Sequence, residues 1–343
     1  MLTPSMLIPY LRHLLTREPL AAHEAEMAMS VILEEADPLE TAAFLAILSY
    51  RGATAGEIAG MVRALETRSV RVSLPFPVLD IVGTGGDGAH TVNISTGSCF
   101  LAAACGIPIA KHGNRSVSSR SGSADVLEAL GIDIELPAET VRESLQECRI
   151  AFMFAPLYHP CFQKVRSIRR SLQIPTVFNM LGPLLNPARA PYALIGVARP
   201  DMLELMAETV RQLGYHKRAL VFHGSGLDEL SPMGPISAYD VRGGKIERLE
   251  IDPQALGFSP CALHELQGGD AQLNATILEE AFSGKRGVVA DALVFNAGAA
   301  LWIFNRTPSL KEGIHIARCL LDDGAAHRVL TQWKAFSQQK RKV

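Results

Sequence analysis

The sequence has no two cysteines at C-x-x-C spacing. Its six (Cys99, Cys105, Cys148, Cys161, Cys261 and Cys319) are scattered along the chain, and no histidine cluster accompanies them. Neither a zinc site nor a disulfide framework is supported, and most of these thiols are expected to be small buried hydrophobes. Charge of one sign is lacking too. The formal net charge is -2, so there is no global attraction to nucleic acid or an acidic membrane, and any affinity for anions must be local. The basic end Lys340-Arg341-Lys342 reads as a solvated terminus rather than a binding arm. No uncharged apolar stretch approaches the ~18 residues of a membrane span. The opening Met1-Leu2-Thr3-Pro4 lacks the basic region, apolar run and cleavage site of a signal peptide. Internal repeats and low-complexity segments are absent as well. Together these absences lead us to expect a cytoplasmic protein with no membrane or nucleic-acid partner.

What is present fits a soluble globular enzyme. Apolar residues make up 48% of the 343 and charged residues 20%, which excludes a disordered chain and suffices to bury a core. Residues 1–73 read as helices by their apolar spacing and breakers. Leu7, Leu11, Leu14 and Leu15 recur at helical intervals, and a second run passes through Ala28, Val31 and Ile32. Asp37-Pro38 opens a third with Phe44, Leu45 and Leu48, and Gly52 and Thr54 introduce a fourth with Ile58, Met61, Val62 and Leu65. The linker Leu74-Pro75-Phe76-Pro77 ends this all-helical unit. From Val78 onward, strand-like runs at 78–82, 107–110, 151–154, 193–197 and 218–222 alternate with glycine-rich turns and with helices at 95–104 and 201–213. That is the pattern of a mostly parallel sheet flanked by helices, an α/β class. The segment 164–185 is helical, then broken by proline and glycine, and it can return to the small helical unit before the sheet resumes.

Three segments carry chemistry. The first, Asp80-Ile81-Val82-Gly83-Thr84-Gly85-Gly86-Asp87-Gly88, is followed closely by Asn93-Ile94-Ser95-Thr96. Glycines after a short strand let backbone amides approach an anion, and a helix start behind them adds the positive end of its dipole. Neither G-x-x-x-x-G-K-[ST] nor G-x-G-x-x-G is matched. On the loop alone, a phosphate site and a plain glycine turn before a capped helix are equally good readings. The second, from Lys111 to Asp125, packs three cations and five serines after the strand at 107–110, on the edge where open α/β sheets bind ligands. Facing the glycine loop, it could hold a phosphate ester from two sides. The third is Gly226-Leu227-Asp228-Glu229-Leu230-Ser231. Its carboxylates suit either a helix N-terminus or, beside a pyrophosphate, a magnesium ion.

These segments, with the stretch Phe178-Asn179-Met180-Leu181-Gly182-Pro183-Leu184-Leu185-Asn186-Pro187, resemble anthranilate phosphoribosyltransferases in order and spacing over most of the chain. The resemblance implies two domains with the active site between them. The small helical, dimerisation domain would be 1–73 plus roughly 164–188, and the large α/β domain 74–163 and 189–343. It also implies a homodimer. Phosphoribosyl pyrophosphate would be contacted by Gly83, Gly86, Asp87, Thr91, Asn93, Ile94, Ser95 and Thr96, then by Lys111, His112, Gly113, Asn114, Arg115, Ser116, Val117, Ser118 and Ser119, and by Ser123. Anthranilate would meet Gly83, Asn114 and Arg169. A pair of magnesium ions would be held by Ser95, Asp228 and Glu229. One departure is visible: Pro175 stands before Thr176 where the family usually has arginine.

The implied reaction joins the amine of anthranilate to the ribosyl carbon of phosphoribosyl pyrophosphate and releases pyrophosphate, a step of tryptophan biosynthesis. An aryl amine is already neutral at pH 7, so no dedicated base is assigned. His112 could accept the amine proton, the alternative being a structural histidine in a polar loop. Arg169 could clamp a carboxylate bidentately. Two competing readings share the architecture. A pyrimidine nucleoside phosphorylase would not need the Asp228-Glu229 pair, and a nucleic-acid-binding paralogue would need a basic face that the net charge does not supply.

Overall fold

In a computed structural model of the chain, which describes residues 6–34, 37–116 and 120–341, four helices come first, as the leucine spacing requires. They are α1 (Ile8–Leu15), α2 (Ala22–Glu34), α3 (Pro38–Arg51) and α4 (Ala55–Glu66). Proline in the first turn of α1 and α3 presets a helical φ. Asp37 caps α3 through the amides of Leu39 and Glu40, and Thr54 and Glu57 form a reciprocal capping box on α4. Glu57 is buried, accepts from the Leu20 amide and pairs with Arg51, so one carboxylate ties together three helix ends.

The rest of the chain alternates strands and helices. β1 (Leu79–Gly83), β2 (Ile109–Gly113), β3 (Ile150–Phe154), β4 (Tyr192–Gly196) and β5 (Arg218–Gly224) are parallel, whereas β6 (Ile236–Arg242) and β7 (Lys245–Ile251) are antiparallel. The order across the sheet is β3-β2-β1-β4-β5-β6-β7. The parallel strands, covered on both faces, are largely apolar, while β6 partly alternates and β7 is mostly exposed because one of their faces meets water. Between the strands lie α5 (Ile94–Ala104), α6 (Ser123–Ala129), α7 (Ala138–Cys148), α8 (Ala155–Tyr158), α9 (Phe162–Leu172), α10 (Phe178–Leu181) and α11 (Leu203–Leu213). After β7 come α12 (Ala271–Phe282), α13 (Val288–Ile303), α14 (Leu310–Asp322) and α15 (Ala325–Arg341).

One sheet face, with Leu79, Ile81, Ile109, Leu194 and Leu220, packs on α5, α12, α13 and α15, and α13 is buried around nearly its whole circumference. The other face, with Ala193, Ile195, Ala219 and Val221, packs on α11, and this core runs on into Leu48, Met61 and Leu65 of the helical unit. Helix α9 lies against α2 and α3, and α10 against α4. Connections leave β1 to one side for β2 and return on its other side at β4, so the order reverses there. Open α/β sheets bind ligands at the carboxyl end of such a point.

Two expectations need correction. The strand expected at 107–110 runs to Gly113, because Lys111, His112 and Gly113 pair in register with Phe152, Met153 and Phe154 of β3. Those three residues therefore lie on a strand, and the loop starts at Asn114. Fewer thiols are buried than expected: all six are free, but only Cys99 and Cys148 are fully buried, and Cys319 is exposed. Among the described residues no helix is long and apolar enough to cross a membrane.

Helices α2 and α4 approach closely because Gly60 has no side chain. A Cβ there would stand 2.0 Å from the carbonyl oxygen of Ala22. Gly60→Ala is expected to push the helices apart and lower stability by about 1–3 kcal/mol. Urea denaturation measures this, and an unchanged midpoint would show that α2 is free to shift.

Candidate active site

The site is built on the carboxyl ends of β1, β4 and β5, three neighbouring strands that each end in glycine: Gly83, Gly196 and Gly224. Across them lies the segment Leu227-Asp228-Glu229. A Cβ on Gly196 would come within 1.8 Å of the Asp228 carbonyl oxygen. On Gly83 it would stand 2.3 Å from the Asp228 carboxylate, and on Gly224 it would stand 2.4 Å from the Glu229 carbonyl oxygen. The three glycines make the room in which the acidic pair sits.

The segment leads into no helix, so the alternative of a helix-capping acidic pair falls away. Instead the two side chains reach back to the first motif. Asp228 Oδ2 accepts from the Gly85 amide at 2.6 Å, and Glu229 Oε1 accepts from the Ser95 amide in the first turn of α5 at 3.0 Å. Asn93, at the N-cap, does not cap α5. Its side chain donates to the Ser121 carbonyl at 3.1 Å and accepts from Asn274 of α12 at 2.9 Å. Asn93 thereby fastens the glycine loop to the serine-rich loop and leaves the first turn of α5 to Glu229.

Burial pushes both carboxyls of the acidic pair well above the ordinary carboxylate range. Asp87 adds to this at Asp228, and Asp228 adds to it at Glu229. Among the described residues neither carboxylate has an ion-pair partner within 4.0 Å. Lys111, which is buried on β2 and donates from Nζ to the Ile81 carbonyl at 2.7 Å, lowers Glu229 electrostatically. Asp80 lies on the opposite sheet face. Burial pushes it up to about 6, even though Lys111 and a 2.7 Å hydrogen bond from Asn186 favour its charge. Asn186 also donates to the Ala110 carbonyl at 2.8 Å, so the end of the Leu-Gly-Pro stretch is pinned to β1 and β2.

The residues expected from the sequence divide by exposure. Gly86 is exposed, while Gly83, Asp87, Thr91, Asn93, Ser95, Gly113 and Ser123 are partly buried around the strand ends. Ile94, Thr96, Lys111 and His112 are buried, and the Lys111 ammonium is turned to the Ile81 carbonyl. Asn114 organises the second loop: its carbonyl accepts from Ser123 Oγ and the Ala124 amide, both at 3.2 Å. Arg115 pairs with Glu128 and Asp125 and lies over the Phe154 ring. The Ser116 amide donates to Asp125 at 2.9 Å. Val117, Ser118 and Ser119 lie outside the described residues.

Arg169, on α9, stands over the Phe178 ring at 5.0 Å, and burial holds its guanidinium below its usual pKa. Among the described residues it has no carboxylate partner within 4.0 Å. A chain of edge-on rings, Phe178 to Phe162 to His159 to His112, carries the contact from α9 to β2. Burial holds His112 well below its ordinary pKa, with His159 adding to the effect, and His159 is pushed down to about 4 by burial. Both rings are neutral at pH 7. Pro175 is exposed, so the departure from the family pattern alters a surface connection rather than the core.

A glycosyl transferase family helical bundle domain matches residues 8–69, and the a/b domain of the same family matches residues 76–327. The chain is 57% identical over 334 residues to the anthranilate phosphoribosyltransferase of Chlamydia felis, covering 97% of each chain. The chain belongs to the anthranilate phosphoribosyltransferase family. The crystal structure of the family member from Thermus thermophilus superposes with a TM-score of 0.90 at 40% identity, over 96% of this chain and 99% of that one. The Saccharomyces cerevisiae member in complex with PRPP and Mg superposes with a TM-score of 0.91 at 29% identity, over 98% and 99%. The fold expected from the sequence, a small helical domain and a larger one with a mostly parallel sheet, is that of the family. The phosphorylase and nucleic-acid-binding readings are not favoured, and the chain is an enzyme of the pentosyl-transferring class.

Reading the sequence missed Gly196 and Gly224. A glycine at or just beyond the end of the apolar runs at 78–82, 193–197 and 218–222 was the signal available for them. If this row shapes the site, Gly196→Ala displaces Asp228 by about an ångström. A shift of that size can cost roughly 100-fold in turnover. Steady-state kinetics on the folded variant checks this, and near-normal turnover would show that the acidic segment is not positioned by β4.

Proposed function

We propose that this chain transfers the phosphoribosyl group of phosphoribosyl pyrophosphate to the amine of anthranilate, releasing pyrophosphate. The observation that carries the reading is the convergence of the Asp228-Glu229 pair on the Gly85 and Ser95 amides, which joins the glycine loop, a helix N-terminus and two carboxylates without an ion-pair partner among the described residues. Displacement at the anomeric carbon builds positive charge on the sugar and negative charge on the departing pyrophosphate. The positive end of the α5 dipole and the glycine-loop amides that the acidic pair does not occupy would stabilise the leaving charge without reorganising. The donor set also suits magnesium. Hard divalent ions favour carboxylate oxygens, and magnesium takes only one or two of them alongside substrate phosphates. Asp228, Glu229 and the Ser95 hydroxyl would hold a pair of such ions, whose contribution is to neutralise charge on the pyrophosphate.

On this reading Gly83, Gly86, Asp87, Thr91 and 93–96 meet phosphoribosyl pyrophosphate on one side, and 111–119 with Ser123 meet it on the other. Arg169, a half-desolvated guanidinium with spare donors, takes the anthranilate carboxylate, with Gly83 and Asn114 beside the ring. No general base is assigned. Among the described residues His112 makes no hydrogen bond through Nε2, and burial opposes the imidazolium that taking up a proton would form. We also propose that 1–73 with roughly 164–188 forms one body and 74–163 with 189–343 another. We further propose a homodimer through the helical body, where Leu15, Leu39 and Tyr50 are 68%, 80% and 82% exposed.

Replacing Asp228 with Asn and Glu229 with Gln together tests the central claim. Turnover should fall roughly 100-fold or more, with partial recovery at higher magnesium. The melting temperature should hold or rise, since two crowded, desolvated carboxylates are removed. Carboxyls whose pKa is raised by folding are destabilising once pH exceeds their unfolded values. The variant's stability gain should therefore open as pH climbs above about 4 and grow toward neutrality. Undiminished turnover would remove the metal role. Separately, Arg169→Ala should weaken anthranilate by about 1.5–3 kcal/mol and leave phosphoribosyl pyrophosphate nearly unaffected. Equal weakening of both substrates in binding titrations would count against that assignment.

A further inference from the structure

The acidic segment is launched by a reversal at the end of β5. The Gly224 amide donates to the Leu227 carbonyl at 2.9 Å and the Leu227 amide to the Gly224 carbonyl at 3.0 Å. Between them Ser225 has φ +51° and Gly226 φ +95°. Two positive φ values within a closed four-residue turn define type I′. Serine enters this region at a cost, so side chains outside the turn must hold it.

Two side chains do so. Ser225 Oγ donates to the Pro235 carbonyl at 2.9 Å. His223 makes the other two contacts: Nδ1 stands 2.8 Å from the Val197 carbonyl oxygen, and Nε2 stands 3.2 Å from the Gly226 amide nitrogen. An amide can only donate and a carbonyl can only accept. Nε2 is therefore the bare nitrogen and Nδ1 carries the proton, which fixes one neutral tautomer. Val197 follows directly on Gly196, over which the Asp228 carbonyl lies. The imidazole thus staples the turn to the strand end on which the acidic segment rests, without lying among the substrate contacts assigned above.

We propose that His223 is the positioning residue for the Asp228-Glu229 pair, acting through the Gly226 amide, an inference that rests on those carboxylates being the metal ligands. Groups that orient metal ligands typically change metal affinity by roughly 10- to 100-fold when removed. A merely structural histidine would instead lower stability and affect every ligand alike.

The test uses Mn2+ as probe, titrated in the presence of pyrophosphate and followed by the electron paramagnetic resonance of the free ion. Wild type, His223→Ala, His223→Gln and the Asp228→Asn/Glu229→Gln variant are compared, and the anthranilate KM is measured in parallel. Loss of the imidazole in His223→Ala should weaken Mn2+ about tenfold. His223→Gln, whose carbonyl can accept from the Gly226 amide, should restore most of it, and the anthranilate KM should stay constant. In wild type, 15N spectra should show His223 with the proton on Nδ1. If His223→Ala binds Mn2+ normally while the double carboxylate variant loses it, the positioning role is overturned and the metal site stands. If the double variant keeps Mn2+, the metal assignment itself falls and takes this inference with it. The opposite tautomer or an imidazolium would also overturn the inference, and that measurement needs only the wild-type protein should His223→Ala fail to fold.

Discussion

The arrangement depends on one steric fact: a peptide segment lies flat across the ends of three adjacent strands. Leu227-Asp228-Glu229 can do so only because β1, β4 and β5 stop at residues without side chains. Once it is there, its carboxylates are within reach of the amides of Gly85 and Ser95, and the glycine loop and α5 take their places around it. Asn93 then joins that assembly to the serine-rich loop. Remove the seat and the three motifs become three unrelated loops.

Such a seat is costly electrostatically. Two carboxylates are taken out of water with a third nearby, and Lys111, the cation that acts on Glu229, is itself buried and committed to the Ile81 carbonyl. Isolated buried charge is strongly disfavoured. The energy to hold it comes from elsewhere, from the apolar faces on both sides of the sheet and from α13, which is buried almost all round. The fold stores repulsion at the place where a cationic or metal-bearing guest would relieve it, which is how perturbed groups come to mark working sites.

The sequence made the first helices, the five parallel strands and the three chemical segments readable, because periodicity and breakers are local properties. Leu7, Leu11 and Leu14 announce a helix face wherever they pack. Strand ends were less secure: β2 gains Lys111, His112 and Gly113 only through pairing with β3, a contact that sequence spacing does not carry. The hairpin of β6 and β7 was legible in principle, since Gly243 and Gly244 join two alternating runs and both adopt positive φ. Its apolar signal is weaker than that of the parallel strands, because one of its faces meets water. The acidic pair was found but its partners were not. That Glu229 answers the Ser95 amide is a contact across a separation of 134 positions. His223 was invisible for a different reason: a histidine at the end of a strand has no local signature, and its meaning lies in which of its nitrogens is bare.

The row of strand-end glycines has a consequence for how such a protein should be dissected. Most residue-by-residue surveys truncate side chains to alanine and ask what was lost. At Gly83, Gly196 and Gly224 nothing can be truncated, and a conventional alanine scan passes over them as already minimal. The shape of this site is written partly in atoms that are not there, so only surveys that add bulk, position by position, can map its floor.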